Sequence, residues 1–244
     1  MPPLLQAAIN GTRSRSEHPA IPLSPEQQAV EASAAVAAGA GAIHVHVRDG
    51  GGNETLAPDD VARTLHAIRA ACPGTPVGVS SGAWIIPDVR RRLAVIDTWD
   101  VLPDFVSVNL HEVGASCVIR LLLDKGVGVE AGIWNAPAAL TLLESGLAHH
   151  CERVLIEPAE GSCRALGNFQ QIESVLYGLH RPRLLHGLGP CTWEFVEYAA
   201  RRHYDTRVGF EDTLTLPDGT RAGSNADLVE AARRIVLVAS ATSI

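Results

Sequence analysis

Short apolar runs and longer amphipathic stretches alternate along the whole chain. Residues 5–9 form the first apolar run, which ends at Asn10-Gly11. Similar runs recur at residues 42–47, 76–80, 105–109, 127–130, 153–157, 183–186 and 206–210. They are short, β-branched and bounded by turn residues, so they read as buried strands. Between them, helical patterns run over residues 25–38, 58–71, 87–96, 117–125, 137–147, 168–179 and 192–201, with a last one over 224–239. Ser24-Pro25-Glu26-Gln27 is a helix start, with Ser24 as N-cap, Pro25 at the first helical position and Gln27 as capping-box partner. Eight strands and eight helices in strict alternation, about 20 to 35 residues from strand to strand, are what βαβ units require. No charge run or linker divides the chain. The pattern predicts an α/β fold, a (β/α)8 TIM barrel forming a single domain over residues 1–244. An open doubly wound sheet would want a glycine-rich dinucleotide turn after the first strand, and Asn10-Gly11-Thr12-Arg13 is not one.

The second run, Ala42-Ile43-His44-Val45-His46-Val47-Arg48-Asp49, carries the first chemical signal. A strand repeats every two residues, so His44 and His46 share one face and Ile43, Val45 and Val47 the other. Two imidazoles on one face make half of a transition-metal site; the competing reading is a polar patch at a strand end.

Composition narrows the functions. The net charge is -7 and no basic run occurs, which disfavours nucleic acid and anionic membranes as partners. No apolar run reaches about 18 residues, so no membrane span is expected. Hydrophobic content of 46% supports a large core, and charged content of 19% is too low for disorder. The five cysteines are odd in number and lack any Cys-x-x-Cys. They fit a reducing compartment, as does the neutral start of the chain, and the expected location is cytoplasmic.

In a barrel, catalytic groups come from the carboxyl ends of the strands. Those ends carry Asn10, His44, His46, Ser80, Ser81, Asn109, Glu130, Glu157, His186, Glu211 and Asp212. In Thr206-Arg207-Val208-Gly209-Phe210-Glu211-Asp212, the period of two places Arg207, Gly209 and Glu211 on one face, with Gly209 leaving room for a ligand. Arg207 and Glu211 are either a structural ion pair or part of a site. Across a barrel mouth Glu211 can reach His44 and His46. Two imidazoles and one carboxylate make a three-ligand site with open positions, suited to a catalytic zinc or similar divalent ion.

The blocks Asn10-Gly11, His18 to Glu26, Gly39 to Asp49, Ser80-Ser81-Gly82 and Arg207 to Asp212 together resemble the β-keto acid cleavage enzymes, of 3-keto-5-aminohexanoate type. The resemblance implies a (β/α)8 barrel with one Zn2+ per chain, held by His44, His46 and Glu211. It implies acyl exchange between a β-keto acid and acetyl-CoA, giving acetoacetate and a new acyl-CoA, in a homo-oligomer, often a tetramer. Arg207, Asp212 and Glu130 match a catalytic group with Asp212 as base, which Arg207 would orient by charge pairing. Ser80 or Ser81 matches a substrate contact, Asn109 stands where relatives commonly carry threonine, and Glu17 matches an acidic contact if one residue is gapped. His186 has no expected counterpart. Two other functions compete: a metal-dependent hydrolase of an amide or ester without CoA, and a barrel that binds a ligand without catalysis. The loop Gly187-Leu188-Gly189-Pro190 is either a phosphate cradle or, more simply, a tight connection.

Overall fold

Each apolar run becomes a strand and each amphipathic stretch a helix in a computed structural model that describes residues 3–158 and 162–241. The strands are β1 (Leu5–Ala8), β2 (Ala42–Val45), β3 (Val77–Ser80), β4 (Phe105–Asn109), β5 (Gly128–Ile133), β6 (Arg153–Ile156), β7 (Arg183–Leu185) and β8 (Asp205–Val208). The helices are α1 (Pro25–Ala38), α2 (Pro58–Ala71), α3 (Val89–Asp97), α4 (Ala115–Asp124), α5 (Ala136–Glu144), α6 (Ser162–Val175), α7 (Thr192–Arg201) and α8 (Asn225–Ala241). Neighbouring strands pair in parallel in chain order, and β8 closes on β1 with Gln6 opposite Arg207. The fold is a (β/α)8 TIM barrel. Among the described residues no helix is long and apolar enough to cross a membrane.

The two faces of the strands differ in kind. Ala7, Ile43, Val45, Val77, Val79, Val106, Val108, Val129, Ala131 and Val154 belong to one hydrophobic core with the helices. Burying one Val or Ile side chain contributes about 1.5–3 kcal/mol relative to leaving it exposed. The barrel interior is instead polar. Gln6 Nε2 donates to Glu130 Oε1 across it at 2.8 Å, and Arg153 Nε lies 3.4 Å from the same oxygen. Phe105 fills the space beside β3, where a Cβ on Gly78 would fall 1.9 Å from the Phe105 ring.

Local chemistry sets the helix ends. Ser24 caps α1, Gln27 returns the bond to the Ser24 backbone, and Gly39 ends the helix at φ 118°. Asp88 and Asn135 cap α3 and α5, their side chains accepting from Arg91 N and Ala138 N. Helix α6 starts earlier than the pattern suggested, at Ser162, and carries Gly167 in its interior.

β2 and β8 each end two residues sooner than expected, and both ends matter. β2 stops at Val45, because the Asn10 side chain takes over as the partner of the next residue: Oδ1 accepts from His46 N at 2.9 Å and Nδ2 donates to His46 O at 2.9 Å. β8 stops at Val208. A Cβ on Gly209 would sit 2.0 Å from Ala8 O, so the glycine is there to let β1 approach, not to leave room for a ligand. Beyond it the chain turns, with Asp212 N and Thr213 N both bonded to Gly209 O.

Candidate metal centre

The turn after β8 brings Glu211 over the end of β2. Glu211 Oε2 lies 3.5 Å from His44 Nε2, and Glu211 Oε1 lies 3.5 Å from His46 Nε2. Zinc binds histidine nitrogen and carboxylate oxygen at about 2.0–2.2 Å, so donors on a tetrahedral centre stand about 3.4 Å apart. The three ligand atoms of His44, His46 and Glu211 all lie within 4.8 Å of one another. Glu211 Oε2 is buried with no hydrogen-bond partner among the described residues. The donor set and its spacing therefore fit one divalent cation.

The electrostatics of the trio are uneven. Burial pushes His44 down to about 3, with the positive charges of Arg207, His46 and His186 adding to the effect and Glu211 opposing it. Burial also works against charge on His46, but Glu211 and Glu54 outweigh it and push the imidazole up to about 9. For Glu211, burial would favour the neutral acid; the Arg207 guanidinium and the two imidazoles hold the carboxyl well below its usual range.

The loop after β1 shapes this centre. Gly11 has φ 57°, and a Cβ there would fall 2.5 Å from Glu211 Cγ, so only glycine fits under the ligand. Arg13 Nε donates to Glu211 O at 3.3 Å. Arg48 ties the loop after β2 to it, bonding the carbonyls of Gly11, Arg13 and Gly52.

Beside the trio lies a second group. Arg207 Nη2 donates to Asp212 Oδ1 at 2.7 Å and to Glu211 Oε1 at 3.0 Å, and lies 3.7 Å from Glu157 Oε2. His186 bridges the same carboxylates, with Nε2 3.0 Å from Glu157 Oε2 and Nδ1 3.3 Å from Asp212 Oδ1. Burial and Arg207 oppose charge on His186, yet Asp212 and Glu157 push it up to about 9. The strand period placed Arg207 and Glu211 on one face; the turn adds Asp212, so the arginine meets both carboxylates. Glu130, expected with Arg207 and Asp212, makes its contacts elsewhere. Its oxygen serves Gln6 and Arg153 in the barrel interior, and burial raises the carboxyl to about 7 against the opposing pull of Arg153 and Gln6.

The remaining expected contacts are spread around the mouth. Ser80 Oγ accepts from Gly82 N at 3.3 Å, which leaves its own proton to donate. Ser81 Oγ donates to Ser107 O at 2.8 Å. Asn109 Nδ2 donates to Glu112 Oε1 at 3.1 Å. Glu17 is partly exposed and engaged by Arg13 Nη1 at 2.9 Å and Ser14 N at 3.0 Å. The loop after β7 is a tight connection: a Cβ on Gly187 would fall 2.6 Å from Cys191 O. Two further side chains meet at His46. Glu54 Oε1 lies 2.6 Å from His46 Nδ1, and Trp84 Nε1 donates to that oxygen at 3.1 Å. Glu54 falls on no strand period and in no motif, so residue pattern carries no signal for it.

The model of a family described as beta-keto acid cleavage enzyme matches residues 2–153 and 183–242. The 3-keto-5-aminohexanoate cleavage enzyme of Fusobacterium nucleatum subsp. nucleatum is 28% identical over 250 aligned residues, covering 95% of this chain and 90% of that protein. Among solved structures, apo ObcA superposes with a TM-score of 0.70 at 17% identity, over 90% of this chain; the chain spans 62% of ObcA's length. The 3-dehydroquinate dehydratase of Geobacillus kaustophilus HTA426 superposes with a TM-score of 0.63 at 12% identity, over 99% of this chain and 93% of its own. These two likenesses show the barrel alone. The family match spans the trio together with Arg207, Asp212 and His186, and leaves Glu157 in its gap. The chain is a member of the beta-keto acid cleavage enzyme family.

Proposed function

We propose that this chain is a zinc-dependent enzyme, with one Zn2+ per chain, that converts a β-keto acid and acetyl-CoA into acetoacetate and a new acyl-CoA. The observation that carries the reading is a single carboxylate. Asp212 is fully buried beside the metal trio; Arg207 and His186 hold its Oδ1, while Oδ2 has no hydrogen-bond partner among the described residues. A base with one oxygen clamped and the other free is oriented toward its proton.

The bound ion supplies a Lewis acid for a ketone oxygen, where negative charge develops as a neighbouring carbon–carbon bond forms or breaks. His44, His46 and Glu211 hold it. Asp212 Oδ2 takes a proton from the methylene carbon between the ketone and the carboxylate. That carbon then exchanges its bond to the substrate acyl group for one to the acetyl carbonyl carbon. The CoA sulfur passes from the acetyl group to the released acyl group, and Asp212 returns its proton to the carbon that lost it, so atoms balance. Arg207 orients Asp212 through a charge-assisted bond. Glu157 and His186 complete the group on its far side, while Glu130, bonded to Gln6 and near Arg153, stands apart from it. Ser80 donates its free hydroxyl proton to the substrate carboxylate, with Asn109 beside it, whereas Ser81 is committed to Ser107. A cationic substituent on the substrate would have to compete with Arg13 for Glu17.

The test is a panel of β-keto acids incubated with the purified, zinc-loaded chain, with and without acetyl-CoA. Acetoacetate formed only when acetyl-CoA is present is the expected result. Turnover of esters or amides without CoA, and none of the panel, would overturn the reading in favour of a hydrolase.

A further inference from the structure

We propose that Glu54 is the positioning residue for the metal-facing imidazole of His46, and that Trp84 locks the pair from the solvent side. The inference rests on the reading of His44, His46 and Glu211 as metal ligands.

The contact is short and sheltered. Glu54 Oε1 sits 2.6 Å from His46 Nδ1, and the Glu54 side chain is 12% exposed. With a carboxylate accepting at Nδ1, that nitrogen carries the ring proton. Nε2 is then the nitrogen left for a cation, on the Glu211 side, with Oε1 at 3.5 Å. A carboxylate behind a ligating histidine fixes its tautomer and ring orientation. His44 lacks such support: its Nδ1 is buried with no hydrogen-bond partner among the described residues. His46 is therefore the imidazole whose two nitrogens both have an assigned task.

The loop after β2 is built to present this carboxylate. Arg48 and Glu54 form an isolated antiparallel bridge, so residues 49–53 are a closed excursion. Asp49 Oδ1 accepts from Gly51 N at 2.8 Å and Asn53 N at 2.9 Å, and Asp49 N donates to Asn53 O at 2.8 Å. Thr55 N donates to Val47 O at 3.0 Å on the return. A group on a loop positions a ligand only when the loop itself is fixed, and these bonds fix it.

Trp84 closes the arrangement. Its indole stacks on His46 with centroids 6.0 Å apart and planes at 24°. Its Nε1 donates to the same Glu54 oxygen at 3.1 Å. A Cβ on Gly82 would fall 2.2 Å from the indole, so glycine at that position lets the ring fold down. One side chain thus covers the imidazole and holds the carboxylate behind it.

The full-length chain is stripped with a chelator and titrated with Zn2+ against a chromophoric competitor, and with Co2+ for its visible spectrum. The wild type, Glu54→Ala, Glu54→Gln, Trp84→Phe and His46→Ala are compared, each checked for folding without metal. Glu54→Ala is expected to weaken Zn2+ binding about 10–100-fold and to alter the Co2+ spectrum. Glu54→Gln, which keeps an acceptor, should retain part of the lost affinity, and Trp84→Phe should lose least. If Glu54→Ala does not fold, the Glu54→Gln titration decides alone. Zn2+ binding by the Glu54 variants within twofold of a wild type that His46→Ala abolishes would overturn the role of Glu54 and leave the metal centre standing. A folded wild type that binds neither ion would overturn both.

Discussion

His44 and His186 are both fully buried, both lie at the ends of barrel strands, and both share a neighbourhood with Arg207. Yet burial takes His44 down to about 3, while His186 stands near 9. The difference lies in carboxylates. His44 faces Glu211 alone, and that carboxylate is shared with His46 and Arg207. His186 lies between Glu157 and Asp212 with a nitrogen toward each. His44 is therefore kept neutral, whereas His186 is kept charged between two acids. His46, with Glu211 and Glu54 about it, is raised like His186, so the number of neighbouring acids sets the charge of each buried imidazole.

The sharpest way to break this contrast is to remove a ligand. His46→Ala should lose the bound ion and, with it, several kcal/mol of transition-state stabilisation, about 10³-fold or more in kcat/KM. Elemental analysis beside a turnover assay checks this, and a metal-loaded, active variant would contradict it. Next comes Arg207, which touches both sides. Arg207→Ala strands Asp212, Glu211 and Glu157 without their common cation and should cost about 3–5 kcal/mol in denaturant unfolding.

A third effect belongs to the interior. The Glu130 carboxyl is raised from 4.5 to about 7 by burial. Between those values the folded chain holds a proton that the unfolded chain has released. Stability from this group is thus present below about pH 4.5 and is lost as pH rises toward 7, by about 3 kcal/mol if the shift is fully expressed. Glu130→Gln should remove that slope between pH 4.5 and 7; an unchanged slope would show that Glu130 titrates normally. The smallest change is expected for His186→Gln, about 1–3 kcal/mol of stability with zinc content intact. Zinc loss in that variant would mean that the two sides are not separable.

Much of this arrangement is readable from residue order. The period of two in Ala42 to Val47 placed both imidazoles together, and the strand–helix alternation gave the barrel that brings Glu211 over them. Helix α2 and strand β4 begin and end where the pattern puts them, because Pro58 opens the helix and the apolar period marks both elements. The turn after β8 was not readable in this way. Gly209 reads locally as empty space, but the β1 backbone fills it, a contact between distant segments that no local pattern encodes. The same limit applies to Glu130 and Glu157. Glu130 lies in β5 and Glu157 just past the end of β6, and only the geometry shows that Glu157 meets Arg207 while Glu130 meets Arg153. Glu54 was hidden for a third reason: it reaches His46 from a hairpin whose course depends on Asp49 bonding back to its own loop.

The pairing of β8 with β1 has a temporal meaning as well. It is the seam of the barrel, the junction at which strands far apart in the chain meet. Glu211 follows that last strand and His44 and His46 precede most of the chain, so a cation held by all three would rivet the seam from above. An ion that binds only the finished ring adds to its stability by mass action, about 2.7 kcal/mol at a hundredfold excess over Kd. The same atom would serve as catalyst and as fastener, and its capture would mark the moment at which the ring is complete.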